Sequence, residues 1–195
     1  MKNISILIIL FILIFSCKQE KALTIKKYEG FIIRSDTTKN YKVITLEKYN
    51  SFYSLIDDIN RIVCNDSIPE IILTDNDVTK KIIISNFCYS NYGCVLIRQR
   101  NVIEIYKDTI YKSGKKKPID SLFSIMKKDY FNLGIDPNYS VKPSKLIFYL
   151  NDLKGLKSYL NKITTYYDKL KINENLNIVI SRRLEIMPPP KFHRN

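Results

Sequence analysis

Histidine is almost missing from this chain: the only one, His193, falls in the last few of 195 residues, just past Met187-Pro188-Pro189-Pro190. A catalytic histidine needs a rigid position and a partner that orients it, and a proline-rich end offers neither. Cysteine-based catalysis draws on the same kind of base, so the scarcity argues against it too. Glycine is also rare, at five residues, which leaves no glycine-rich loop to cradle a phosphate. Tryptophan is absent, and acidic residues are outnumbered, 19 against 32 Lys and Arg, for a net charge of +13. Asp75-Asn76-Asp77 opens like a calcium loop, but Lys80 stands where that loop needs glycine and Asn86 where it needs glutamate. It reads as a turn. No second Cys or His pair has metal-ligand spacing. Asp57-Asp58 lie opposite an apolar stripe and read as solvated. The expectation is a chain with no metal, no cofactor and no catalytic residue.

Long apolar runs are few as well, and the one that exists stands at the N-terminus. Lys2 is followed by an apolar stretch from Ile4 to Phe15 in which Ser5 is the only polar member. It is shorter than the roughly 20 residues a membrane-spanning helix needs, and it matches the apolar region of a secretory signal. It ends in Ile14-Phe15-Ser16-Cys17, which resembles a lipobox: an aliphatic residue at minus three, a small one at minus one, then cysteine. Phe15 is bulkier than the usual minus-two residue. The resemblance implies that residues 1–16 are a signal peptide and that Cys17 carries lipid in a bacterial lipoprotein. Its thiol would take a diacylglycerol before cleavage frees its amine for further acylation, and two or three chains anchor stably without a spanning segment. Residues 17–27 are then expected to be a polar, lipidated tether. Lys18 is not the aspartate associated with inner-membrane retention in some bacteria, which favours the outer membrane.

Export places the remaining cysteines, Cys64, Cys88 and Cys94, in an oxidising compartment. Cys88 and Cys94 flank the turn-like Tyr89-Ser90-Asn91-Tyr92-Gly93, so a hairpin there would bring their Cα atoms to bridging distance. The expected disulfide is Cys88–Cys94, with Cys64 the odd thiol, buried or free. The positive balance suits anionic partners such as lipid headgroups, cell-wall polymers or acidic proteins, and export argues against nucleic acid. Part of the lysine excess accompanies abundant Ile, Asn and Tyr, as in AT-rich genomes. The candidate contacts with an anionic surface are Lys115, Lys116 and Lys117, Lys127 and Lys128, and Arg182 and Arg183.

Periodicity gives the fold class. Short strands are read at Tyr28 to Arg34, 41–45, 71–74, 82–87, 95–97, 102–106, 109–111, 145–150 and 176–181. Three- and four-residue apolar steps predict helices at 46–63, 119–131 and 153–170. Lys112 to Lys117 reads as a basic loop, and the proline-rich tail at 184–195 lies outside any sheet. Helix-then-strand recurs three times, which predicts an α+β fold: a mixed β-sheet with about three helices packed on one face. The segments are an N-terminal one, 28–100, and a C-terminal one, 101–183.

Within the second segment, Ile105-Tyr106-Lys107-Asp108-Thr109-Ile110 and the strand Leu146 to Leu150, followed by Asn151-Asp152 and a capped helix, carry a further resemblance. Residues 102–181 resemble the periplasmic domain of the ExbD/TolR family, which runs strand, turn, strand, helix, strand, helix, strand. That family drives a motor through an acidic residue in an N-terminal transmembrane helix, and residues 1–16 contain no Asp or Glu. The resemblance therefore implies a small domain that forms a homodimer or binds an envelope protein, without proton coupling. The function expected is a lipid-anchored envelope binding or interaction module, accessory to an ExbD/TolR-type system. The alternative is an immunity-type inhibitor lipoprotein that neutralises a toxin at the membrane.

Overall fold

The computed structural model describes residues 24–30, 40–75, 77–88 and 97–182. The signal at 1–16, Cys17, most of the tether, Cys94, Arg183 and the tail at 184–195 lie outside the described residues. The architecture is α+β. Its first sheet contains β1 (Thr24–Tyr28), β2 (Tyr41–Ile44), β3 (Ile68–Asp75) and β4 (Val78–Ile83), in the order β1-β4-β3-β2. The second contains β5 (Val102–Tyr106), β6 (Thr109–Lys112), β7 (Lys115–Pro118), β8 (Ile147–Leu150) and β9 (Asn177–Ile180), in the order β7-β6-β5-β8-β9. Among the described residues three α-helices accompany them: α1 (Phe52–Cys64), α2 (Leu122–Phe131) and α3 (Leu153–Lys169).

Helices α1 and α3 each join strands that run parallel, as a crossover connection requires. α1 links β2 to the parallel β3, and α3 links β8 to the parallel β9. The ends of α1 and α3 are set by side-chain caps that satisfy orphan N–H groups. Ser51 Oγ accepts from Ser54 N at 3.1 Å, and Asp152 Oδ1 accepts from Lys154 N at 3.2 Å. The Ser51 cap explains why the helix expected from residue 46 begins at Phe52, with Leu46–Lys48 as a separate 3-10 turn.

Alternate strand positions make one continuous apolar face. Ile71 and Leu73, Ile82 and Ile84, Ile103 and Ile105, Phe148 and Leu150, and Ile178 and Ile180 share a single core with Leu55 and Ile59 of α1, Met126 of α2, and Leu156, Leu160 and Ile163 of α3. The two sheets meet at β9, which takes over from β1 along the same edge of β4. Tyr28 pairs with Ile82, Leu176 N donates to Glu29 O at 2.9 Å, and Ile84 then bridges to Ile178. Gly30 stands where one strand yields to the other. A Cβ there would lie 1.9 Å from Ser85 Oγ and 3.2 Å from Leu176 O.

Four further sequence expectations change. Residues 24–27, expected in the tether, belong to strand β1, which is held to α3 by Lys26 Nζ and Tyr28 OH on Asp168 Oδ2 at 2.6 and 2.9 Å. The lysines of this segment hid it, because only its end, Tyr28, is buried. Of the strand expected at Tyr28 to Arg34, the described part stops at Gly30, and within it only Tyr28 is strand. Lys112 to Lys117 is no loop: β6 and β7 pair across Ser113-Gly114, whose φ values of 47° and 76° suit a tight two-residue hairpin. Lastly, the disulfide is Cys64–Cys88, with Cα atoms 5.0 Å apart. Antiparallel pairing is the reason. β4 runs back along β3, placing Ile83 beside Glu70, so the chain after β4 returns to the end of α1, where Cys64 lies. Cys64 is a bridged cysteine, and the nearer partner in sequence, Cys94, is not the one used.

Candidate binding cleft on the face opposite the helices

The strand residues that point away from the core include Ile147 and Tyr149 of β8 and Asn177 and Val179 of β9. They floor a cleft of about 530 Å³, walled by Ser85 and Phe87 after β4, by Ile97, Arg98, Arg100 and Asn101 before β5, and by Val141, Lys142, Ser144 and Lys145 before β8. Its position follows from topology. β5, β8 and β9 are consecutive parallel strands, so the loops that enter β5 and β8 lie together at one end of the sheet.

Hydrogen bonds fix these walls. Asn177 Nδ2 donates to Ser144 O at 3.0 Å and to Leu146 O at 2.9 Å, tying the β8 entry loop to β9. Asn86 uses its side chain as a strand residue would: Nδ2 donates to Ile180 O at 2.8 Å and Oδ1 accepts from Ile180 N at 2.9 Å. The Arg98–Asn101 turn is held from behind by Lys112, whose Nζ donates to Arg100 O at 2.7 Å. Ser140 Oγ reaches Asn101 Oδ1 at 3.1 Å.

Lys112 is itself half of a buried ion pair with Asp129, Nζ to Oδ1 at 2.7 Å, and the two side chains are 6% and 0% exposed. The same Asp129 oxygen accepts from Ser140 N at 2.7 Å. Burial pushes the Asp129 carboxyl above, and the Lys112 ammonium below, their ordinary ranges, and each partner opposes the shift of the other. The pair joins β6, α2 and both cleft-forming loops at one point. A second buried lysine, Lys80, donates to Asn161 Oδ1, Thr164 Oγ1 and Thr165 Oγ1 at 2.5, 3.1 and 3.0 Å. Burial lowers its pKa, and it clips β4 to α3, away from the cleft.

Four cationic side chains, Arg98, Arg100, Lys142 and Lys145, therefore stand around a largely apolar floor. Among the described residues the lining contains no carboxylate. Such a set can hold an anionic group at the rim and an apolar group beneath it, as small-molecule clefts of this size do.

Those of the basic residues singled out from sequence that are described lie elsewhere, Arg183 being outside the described residues. Lys115, Lys116 and Lys117 are exposed along β7, with Lys116 Nζ 5.8 Å from the Tyr111 ring centre. Lys127 and Lys128 are on the exposed face of α2, and Lys128 Nζ is 5.7 Å from the Tyr139 ring centre. Arg182 stacks over Tyr53 of α1 at 4.4 Å. Lys115 and Lys128, from different elements, both act on Asp136. The four cleft cations were missed because Arg98-Gln99-Arg100 and Lys142-Pro143-Ser144-Lys145 look like ordinary connecting loops. A signal did exist in the predicted βαβ order, which places the entry loops of parallel neighbours side by side.

No protein-family model, curated protein or solved structure matches the chain.

Proposed function

We propose that this chain is a lipid-anchored protein of the bacterial cell envelope, held on the outer membrane through Cys17, that captures an anionic ligand with an apolar portion. The observation that carries the ligand class is the convergence of Arg98, Arg100, Lys142 and Lys145 on an apolar cleft. The anchor rests on Ile14-Phe15-Ser16-Cys17. The Cys64–Cys88 bridge supports it, because disulfides persist outside reducing compartments. The ExbD/TolR likeness of residues 102–181 enters only as an analogy of fold. The departure of β7, an extra edge strand in the order of that domain, adds to the missing motor residue.

Titration of the purified full chain with a dansyl-labelled undecanoate probe tests the cleft. Saturable binding of one probe per chain is expected, displaced by dodecyl phosphate. The double variant Arg98→Glu, Arg100→Glu should weaken binding at least about tenfold, equivalent to about 1.4 kcal/mol, whereas Lys162→Glu on α3 should not. Non-saturable binding, or equal weakening by both variants, would sink the cleft reading. The anchor is tested apart from it. Intact mass should show an acylated chain beginning at Cys17, and Cys17→Ala should abolish the acylation.

A further inference from the structure

The end of α2 and the segment that follows it expose large apolar side chains instead of hiding them. Phe131 is 57%, Leu133 78% and Ile135 84% exposed. A loose loop would fold such groups down onto the protein. This one is built to hold them out. Asn132, at its base, is buried and donates through Nδ2 to Asp136 O and Ser140 O at 2.9 and 3.0 Å, while its Oδ1 accepts from Asp136 N at 2.7 Å. Asp136 Oδ1 in turn accepts from Asn138 N at 2.9 Å, and Ser113 Oγ of the β6–β7 hairpin donates to Asn138 O at 2.6 Å. Leu133 is kept at φ 48°, left-handed backbone that a leucine adopts at a cost. Gly134 follows at φ 83°. The strain is tolerated at a residue whose side chain gains nothing from packing.

The surroundings are basic. Lys127 and Lys128 are exposed on the last turns of α2, and Lys115 is exposed on the neighbouring hairpin. Lys115 and Lys128 lie close enough to Asp136, the acidic residue of the loop, to help hold its carboxyl below the usual range, behind the larger effect of hydrogen bonds from Asn138. We infer that Phe131, Leu133 and Ile135 form a tip that inserts into the interfacial region of an anionic bilayer, with Lys115, Lys127 and Lys128 meeting the headgroups. Rigid apolar groups ringed by lysines are what interfacial binding requires, with apolar burial and attraction to anionic lipid acting together. Protein interfaces, by contrast, are depleted of lysine. The inference is independent of the cleft, and it rests on the Cys17 reading only for how the chain first reaches a membrane.

The absence of tryptophan from the chain permits a direct test. Ile135→Trp places the only indole at the tip, and Val43→Trp places one on β2, exposed but remote from the loop. Each full-length variant is mixed with phosphatidylcholine–phosphatidylglycerol vesicles that carry brominated acyl chains, and cosedimentation establishes the bound fraction. On bound protein, emission from the Ile135→Trp variant should move to the blue and be quenched, whereas that from Val43→Trp should do neither. In the Cys17→Ala background, where no acyl chain holds the protein on the vesicle, Leu133→Asn, whose new residue tolerates positive φ, should fold as its parent does and bind these vesicles several-fold more weakly than Cys17→Ala alone. Unquenched Ile135→Trp emission on bound protein would overturn the inference. So would a blue shift that grows with protein concentration in the absence of lipid, since a second copy would then be covering the tip. Equal quenching on pure phosphatidylcholine would overturn the role given to the lysines. Failure of the anchor shows separately, as an unacylated intact mass.

Discussion

Replacing a glycine in the middle of a helix by alanine ordinarily stabilises it by about 1 kcal/mol. At Gly155, in the first turn of α3, the opposite is expected. A Cβ there would stand 2.2 Å from Cζ, 2.3 Å from the OH and 2.4 Å from Cε2 of Tyr159, against the roughly 3.5 Å at which non-bonded carbons rest. The Tyr159 ring is 2% exposed, so it cannot swing into water. Its hydroxyl also accepts from Asp108 N at 3.0 Å, stabilising a hairpin turn in which Lys107 and Asp108 both have positive φ, 47° and 56°. Displacing the ring costs about 1–3 kcal/mol as overpacking, and losing the turn's hydrogen bond about 1 kcal/mol more. Set against the propensity gain, Gly155→Ala should destabilise the protein by about 1–3 kcal/mol. Urea unfolding of four chains reads this out: parent, Gly155→Ala, Tyr159→Leu and the double variant. In the Tyr159→Leu background, the same Gly155→Ala step should become stabilising. A Gly155→Ala protein more stable than the parent, or the same change in both backgrounds, would refute the argument.

Lys112→Met should cost about 3–5 kcal/mol, because it strands the Asp129 carboxylate in the interior. Lys112→Met with Asp129→Leu should recover much of that loss, and a single variant as stable as the parent in urea unfolding would contradict the buried pair. Tyr49 supplies a pH test. Burial first, then its hydrogen bond to the Asp58 carboxylate, pushes its hydroxyl from the ordinary 10.0 up to about 12. The folded state therefore keeps a proton that the unfolded chain releases. The resulting stabilisation is complete below pH 10 and is lost as pH rises towards 12. Tyr49→Phe should make the alkaline fall of the melting temperature shallower over that window, and an unchanged slope would show that the contact does not form in solution.

The parts of the fold legible in the sequence were those whose signal is local. The α3 stripe of Leu153, Leu156, Leu160 and Ile163 and a cap at Asn151 or Asp152 predict the helix to within a residue of its observed end, with Asp152 the residue that caps it. The Ile105 to Ile110 hairpin was equally legible. What failed depended on partners distant in sequence. β1 reads as tether because four of its five residues are exposed and its pairing partner, β4, lies some fifty residues on. The Cys64–Cys88 bridge is set by the β3–β4 return, which no spacing rule between cysteines contains. Lys112 reads as one more lysine in a basic run, yet it is buried, because alternation along β6 turns it and Ile110 inward while Lys115, Lys116 and Lys117 remain on the open edge.

That same alternation, by turning Lys112 inward, ties the cleft wall and the tip to one buried point. The stretch from Asn132 to Leu146 is a single connection from α2 to β8; with Phe131 at the end of α2 it supplies the exposed tip at one end, and it supplies the Val141–Lys145 wall of the cleft at the other. Its midpoint is pinned by Ser140, whose N–H meets Asp129 and whose hydroxyl meets Asn101 and Lys142 O. Val141 lies 3.6 Å from where a Gly134 Cβ would be, so the two ends touch. Because Lys112 also holds Arg100 O while Asp129 holds Ser140 N, the buried pair ties the two basic loops together. An ion pair in this position adds little to stability compared with a well-packed apolar pair. What it does provide is a fixed geometry for a loop that forms part of the proposed cleft and the proposed tip and has no helix or strand of its own beyond the short Pro143–Lys145 turn.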